Sequence, residues 1–145
     1  MKATLLLADY AKVSDGKLDM LGAGWSVAGP GPVAFVVAGI VHVPWDETNV
    51  THTVRLELLD ADGAPVLHPA NDEPIFVEFQ VEVGRPPGVK PGTPMDVPVA
   101  VPFGAFQLEP GSRYEVRATI DGRDDEDWTL PFSIRSAVPQ QQFGV

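Results

Sequence analysis

The sequence contains no cysteine, which excludes a disulfide, a thiolate metal site and a cysteine nucleophile. Long apolar runs are also missing, because glycine, proline or a charged residue interrupts every stretch before the roughly 20 residues that span a bilayer. Windows long enough for a helix are scarce, since 15 prolines and 14 glycines are spread over 145 residues. These absences predict a domain that is stabilised by packing alone and is not inserted in a membrane.

Positive charge is scarce as well: 10 Lys and Arg face 20 Asp and Glu, which gives a formal net charge of −10. Such a surface repels a phosphate backbone, so we expect neither a nucleic-acid partner nor an anionic membrane. The first residues have one lysine and a short apolar run, but Asp9 comes too early for the apolar region of a secretory signal. This favours a cytoplasmic protein.

Alternation of apolar and polar residues dominates the chain, most clearly where Ile75, Val77, Phe79, Val81 and Val83 share one phase. Period two is typical of strands with one buried face. The predicted fold class is therefore all-β, a two-sheet antiparallel sandwich of about eight or nine strands, immunoglobulin-like or a related Greek key. The length suits one domain, which we place at residues 1–135, followed by a C-terminal tail at 136–145.

Turn and proline signals organise the middle of the chain. The run from Asp60 to Gly63 predicts a tight turn after a strand. Pro98 and Pro102 lie on the opposite phase from the apolar residues of 95–101 and lack amide donors, which predicts an edge strand. The stiff segment 85–92 before it predicts a crossover between the sheets.

Two segments, 2–8 and 33–43, are apolar on both phases, unlike a strand with one wet face. Val36 and Ile40 lie on the outer phase of the second segment. Either another part of the chain covers this outer face or a second subunit does. Phe143 and Val145 in the tail are further candidates to dock there, the alternative being a frayed terminus.

Two resemblances concern architecture. The run from Leu108 to Tyr114 resembles the tyrosine corner of immunoglobulin-like sandwiches, which implies a Tyr hydroxyl bonded to backbone a few residues upstream. Since the Cys-Trp-Cys core is absent, it implies architecture and no function. The stretch Leu5–Tyr10, with Asp15–Leu18 and Leu21-Gly22, resembles the opening of an uncharacterised bacterial family of small β proteins, which implies no activity.

Catalytic and metal motifs are weak. The acidic run from Asp124 to Asp127 suits either calcium ligands or a solvated hairpin tip. His42, His52 and His68 lack the short spacing of a zinc pair, no Gly-x-Ser-x-Gly elbow occurs, and Gly22-Ala23-Gly24 lacks the third glycine of a dinucleotide fingerprint. We predict no cofactor, no metal and no enzymatic activity. A catalytic triad of a serine, a histidine and an acid that are distant in the sequence remains an alternative.

Aromatic residues offer a binding alternative. Trp25, Trp45, Trp128 and Tyr10 are the candidates for a flat platform. Trp128 fits a core pattern, whereas Trp45 stands beside a loop at a strand end. The favoured function is a protein-interaction or assembly module that binds a protein, including itself, through the segments 2–8 and 33–43. The alternative is a small-ligand domain for a sugar or peptide, using loops around Trp45 and Asp60–Gly63.

Overall fold

The computed structural model describes residues 1–137, which form two facing β-sheets. The first sheet contains β1 (Lys2–Ser14), β2 (Lys17–Ala23), β4 (Pro32–Val43) and β7 (Met95–Gln107), in the order β2-β1-β4-β7. The second contains β3 (Val27–Ala28), β5 (His52–Asp60), β6 (Phe76–Val81), β8 (Arg113–Ile120) and β9 (Thr129–Ile134), in the order β3-β9-β8-β5-β6. The predicted two-sheet sandwich of about eight or nine strands is confirmed, with nine strands among the described residues.

The strand pairs are antiparallel except for β3 with β9, the one parallel pair among the described strands. The alternation read from the sequence corresponds to burial, since Tyr114, Val116, Ala118 and Ile120 of β8 all face the core. β7 pairs with β4 alone and is an edge strand, as its prolines predicted. The segment between β6 and β7 passes from one sheet to the other, also as predicted.

An aromatic cluster joins the two sheets. Phe35 of β4 stacks on Phe103 of β7 with ring centroids 5.4 Å apart, and it meets Phe132 of β9 edge-on at 5.5 Å. Trp25 contacts both Phe35 and Phe132 edge-on, and Tyr114 stacks on Phe132. Rings that meet at these distances pack better than aliphatic contacts of equal area, so this cluster fixes how one sheet sits on the other.

Two local features predicted from sequence are present. The Tyr114 hydroxyl accepts a hydrogen bond of 2.9 Å from the Glu109 amide, as a tyrosine corner implies. In the turn after β5, Asp60 Oδ1 accepts from the amides of Asp62 and Ala64, both at 2.9 Å. The Asp60 carboxylate thus closes its own turn, which is the ordinary role of aspartate there.

Candidate functional site

The β1–β2 hairpin covers the outer face of β4. Ala8, Val36 and Ala38 form a small buried cluster there, and Ala11 and Leu18 from the two arms of the hairpin pack against it. Both β1 and β2 contact β7 without pairing with it, so the hairpin folds across β4 towards the far edge of its own sheet. Of the two explanations for the two-sided apolar segment, coverage by the chain itself is the one observed.

This coverage corrects the expected interface. Val36 is only 8% exposed, so its side chain is not available to a second subunit. Ile40 is half-buried, opposite Thr4 of β1 and Pro98 of β7. Phe143 and Val145 lie outside the described residues. The outer face of β4 is therefore not the open surface for a second subunit that the sequence had suggested.

The hairpin itself exposes the apolar side chains. Tyr10 and Leu21 are directly opposite each other on β1 and β2 and are 52% and 67% exposed. Five of the nine exposed large apolar residues of the described chain belong to these two strands: Leu6, Tyr10, Val13, Met20 and Leu21. Tyr10 and Leu21 form an apolar patch on one face of the hairpin, of the kind typical of an interaction site, whereas Val13 and Met20 lie on its opposite face.

The charge of this hairpin differs from that of the whole chain. Residues 1–25 carry three lysines and three aspartates, which cancel, so the formal charge of −10 belongs entirely to the rest of the sequence. Lys12 lies opposite Asp19 across the two strands, next to Tyr10 and Leu21. The patch thus combines apolar contacts with balanced charge. The charged residues of this segment are Lys2, Asp9, Lys12, Asp15, Lys17 and Asp19.

Trp45, the predicted ligand platform, is half-buried in a 3₁₀ turn (Trp45–Glu47) after β4. The Arg85 guanidinium lies 4.0 Å from the centre of its ring, and the Trp45 carbonyl accepts 2.6 Å hydrogen bonds from Arg85 Nη2 and the Thr48 hydroxyl. One ring face is therefore already occupied by an intramolecular cation–π contact. This arrangement fixes the turn and leaves less of the indole for a ligand.

Each of the three histidines has its own hydrogen-bond partners, and the three sets of partners do not overlap. His42 Nδ1 lies 2.7 Å from Asp96 Oδ1, and its Nε2 lies 3.0 Å from the Thr4 hydroxyl. His52 contacts Asp121 and the Glu47 carbonyl, and the His68 ring accepts from the Ala70 amide. Within residues 1–137, no group of three or more His, Asp or Glu side chains is placed to hold a metal ion.

The acidic run forms the connection between β8 and β9. Asp125 Oδ1 accepts a 2.9 Å hydrogen bond from the Asp127 amide and so begins a 3₁₀ turn over Glu126–Trp128. Asp124 and Glu126 are exposed. The Asp125 carboxylate therefore caps this turn, and Trp128 is buried in the core.

A pocket beside Trp25 was not identified from the sequence, although Trp25 itself was among the aromatic candidates. Asp9, Val27, Gly29 and Val33 contribute to a space of about 380 Å³ there. The Trp25 Nε1–H is buried and has no acceptor among the described residues. Glycine is favoured at Gly22, since its φ is +60° and an added Cβ would clash with the Asp9 carboxylate. Only the tertiary structure brings these residues together.

The hairpin residues that matter most were also missed. No role was assigned to Met20 from the sequence, and Leu21 entered only through the family resemblance. The available signal was the presence of three apolar residues, Leu18, Met20 and Leu21, on both phases of one short strand.

The comparisons with known proteins give one family. The family model described as "Family of unknown function (DUF6941)" matches residues 3–135. No curated protein and no solved structure matches the chain. In the part of the chain that the structure describes, no helix is long and apolar enough to cross a membrane.

Proposed function

The chain belongs to the DUF6941 family, which brings no known activity, and we propose from the geometry that it is a non-enzymatic interaction module that associates with a second copy of itself. The β1–β2 hairpin is the proposed contact. The observation that carries this proposal is the exposure of Tyr10 and Leu21, opposite each other, on a charge-balanced segment of an acidic chain.

The choice of a second copy rests on charge. Two chains of charge −10 repel each other over most of their surfaces, and this repulsion opposes close contact. At the hairpin the opposite charges of Lys12 and Asp19 balance, so two copies that meet there repel each other little. Burial of exposed apolar side chains then supplies the favourable free energy, at about 25 cal/mol per Å² of apolar surface.

Size-exclusion chromatography with light scattering tests this directly. We expect the natural chain to dimerise at tens of micromolar, and Tyr10→Ser with Leu21→Ser to raise the dissociation constant at least tenfold. Val50→Ser with Leu67→Ser is the matched control, because both side chains are 50% exposed but lie outside the hairpin. A natural chain that stays monomeric at 100 µM, or a control pair that dissociates the dimer equally, contradicts the proposal.

The same proposal gives contact roles to Ile40, which is half-buried, and to Phe143 and Val145. Shortening the chain after residue 137 tests the last two. We expect a weaker dimer and an unchanged thermal midpoint, since β9 already ends at Ile134. If the shortened chain dimerises as tightly as the natural one, Phe143 and Val145 are not contacts.

Further parts of the proposal concern the cellular location, the excluded partners and the fold type of the protein. We propose that the protein acts in the cytoplasm and without catalysis. We also propose that it binds neither nucleic acid nor membrane, because its formal net charge of −10 repels phosphate groups. An immunoglobulin-like arrangement is proposed on the strength of the Tyr114 to Glu109 hydrogen bond. The bacterial nature of the family is a proposal that rests on the first 25 residues.

A second candidate function, small-ligand binding, is favoured by one observation: the buried Trp25 Nε1–H without an acceptor among the described residues. An unsatisfied buried donor costs roughly 1–3 kcal/mol, which a hydroxyl oxygen of a bound sugar or a carbonyl of a bound peptide removes. Tryptophan fluorescence against a panel of sugars and short peptides tests it, with Trp25→Phe as the variant that lacks the donor. If no ligand gives a saturable fluorescence change that depends on Trp25, this pocket is not a binding site for sugars or short peptides.

A further inference from the structure

The two sheets end in four edge strands, β2, β7, β3 and β6, and two of these, β7 and β3, are clearly protected against pairing with another strand. β7 carries Pro98 and Pro102, which lie opposite Ile40 and Val36 of β4 and remove donors from its free side. β3 has only two residues. β6 exposes Glu78, which forms a 3.4 Å ion pair with Arg55 of β5, and Glu82 follows directly after the strand, so this edge is acidic but partly neutralised.

The fourth edge, β2, has none of these protections. It is seven residues long, contains no proline, and exposes every side chain except the half-buried Leu18. Its two charged residues, Lys17 and Asp19, have opposite signs. An exposed, proline-free edge of this length is a template for another strand.

The turn determines which backbone groups of β2 are free. Asp15 and Gly16 have positive φ angles of 51° and 70° and form a two-residue turn. In such a turn the flanking residues, Ser14 and Lys17, form the first hydrogen-bonded pair. Because hydrogen-bonded and free residues alternate along an antiparallel strand, the amides of Leu18 and Met20 point away from β1.

We propose that two copies of this chain join their β2 strands edge to edge, antiparallel, about a two-fold axis at Met20, and so form one continuous eight-stranded sheet. The proposal rests on the proposed self-association and specifies its geometry. A two-fold axis makes the contact reciprocal, so that the residue on the axis faces its own counterpart and every other pair occurs twice, as is common in homodimers.

The register follows from charge and length. With Met20 on the axis, the whole strand overlaps its partner, Asp19 faces Leu21 and Lys17 faces Ala23. An axis at Asp19 places two aspartates directly opposite each other, which is destabilising. An axis at Leu18 leaves only three residues of each strand to pair. Met20 is thus the position that satisfies both conditions.

The absence of cysteine makes a single-cysteine test clean. We expect Met20→Cys to form a disulfide-linked dimer under mild oxidation, because residues opposite each other in a sheet lie within the Cα separation that a disulfide spans. Gln80→Cys, exposed on the β6 edge, is the matched control and should stay unlinked.

A second pair of variants tests the backbone contact. Met20→Pro removes an outward amide while leaving the hydrogen bonds between β1 and β2, so we expect at least a tenfold weaker dimer with an unchanged circular dichroism spectrum. Met20→Thr retains the amide and should dimerise far more tightly than Met20→Pro. Comparison of the two separates the edge contact from the loss of the methionine side chain.

The outcomes are distinguishable. A dimeric natural chain whose Met20→Cys variant does not cross-link overturns the edge pairing and leaves self-association intact. A monomeric natural chain overturns both. If Met20→Pro does not fold, the cysteine pair alone decides, and equal cross-linking at residues 20 and 80 counts against the proposed axis.

Discussion

At the scale of single residues, His52 is the most informative side chain. It is 5% exposed, with Nδ1 2.7 Å from Asp121 Oδ2 and Nε2 2.8 Å from the Glu47 carbonyl. Burial lowers the pKa of His52, but the hydrogen bonds with Asp121 and Glu47 outweigh it, and the net pKa lies above the ordinary 6.5. The bond from His52 and that from the Thr53 amide lower the pKa of Asp121.

These directions predict a pH dependence of stability. A raised histidine pKa stabilises the fold fully below pH 6.5, and this contribution is lost as the pH rises through the folded-state value. The lowered Asp121 pKa stabilises it above pH 3.8 and is lost as the pH falls through its folded-state value. The pair therefore contributes most between these two limits, in mildly acidic solution.

Asp121→Asn is the test at this scale. We expect it to cost about 1 kcal/mol of unfolding free energy at pH 5.5, since Asp121 is partly solvated, and to flatten the decline between pH 5.5 and 8.5. Urea unfolding at both pH values measures this. Asp96→Asn, beside the more exposed His42, is the control and should cost less. Equal slopes for the natural chain and Asp121→Asn contradict the assignment.

At the scale of elements, the two edge strands of the first sheet differ: β7 contains prolines, whereas the edge of β2 is free of them. Both strands lie at the edges of the same sheet, yet only β7 lacks donors at alternate positions. A sheet with two open edges permits endless edge-to-edge addition, whereas one open edge permits a closed dimer. We therefore infer that the prolines limit the association that we propose for β2.

Replacing Pro98 and Pro102 by valine tests this interpretation. Valine restores two outward amides in a strand whose sequence already favours β-structure, so we expect concentration-dependent assemblies larger than a dimer. Light scattering over a concentration series measures them. Pro91→Val in the loop before β7 is the control and should leave the assembly size unchanged. A double variant that remains dimeric contradicts the protective role.

At the scale of the whole molecule, net charge opposes self-association. The potential of a −10 chain extends about one Debye length, which is about 10 Å at 0.1 M salt. Salt screens the repulsion between two negatively charged chains. Because the formal charges of the hairpin cancel, salt has few attractive ion pairs between the copies to weaken. Dimerisation should therefore strengthen as salt is added.

We expect the dissociation constant to fall roughly threefold between 50 and 300 mM NaCl, as measured by analytical ultracentrifugation. Asp124→Asn with Asp125→Asn reduces the net charge to −8 from the turn between β8 and β9, and should reproduce part of this strengthening at low salt. A dimer that weakens as salt is added indicates that ion pairs dominate the contact.

The sequence by itself determined the fold class, because side-chain alternation has a fixed period and prolines remove donors wherever the chain runs. The two-sheet sandwich, the edge position of β7 and the tyrosine hydrogen bond were all readable from local pattern. Those features depend on neighbours within a few residues.

The tertiary structure alone decided what covers Val36, which partners hold His52, and which apolar residues stay exposed. His52 and Asp121 are 69 residues apart in the chain, and the hairpin reaches β4 and β7 only after folding across the sheet. Alternation shows that a strand has two faces, but long-range packing determines which of them meets water.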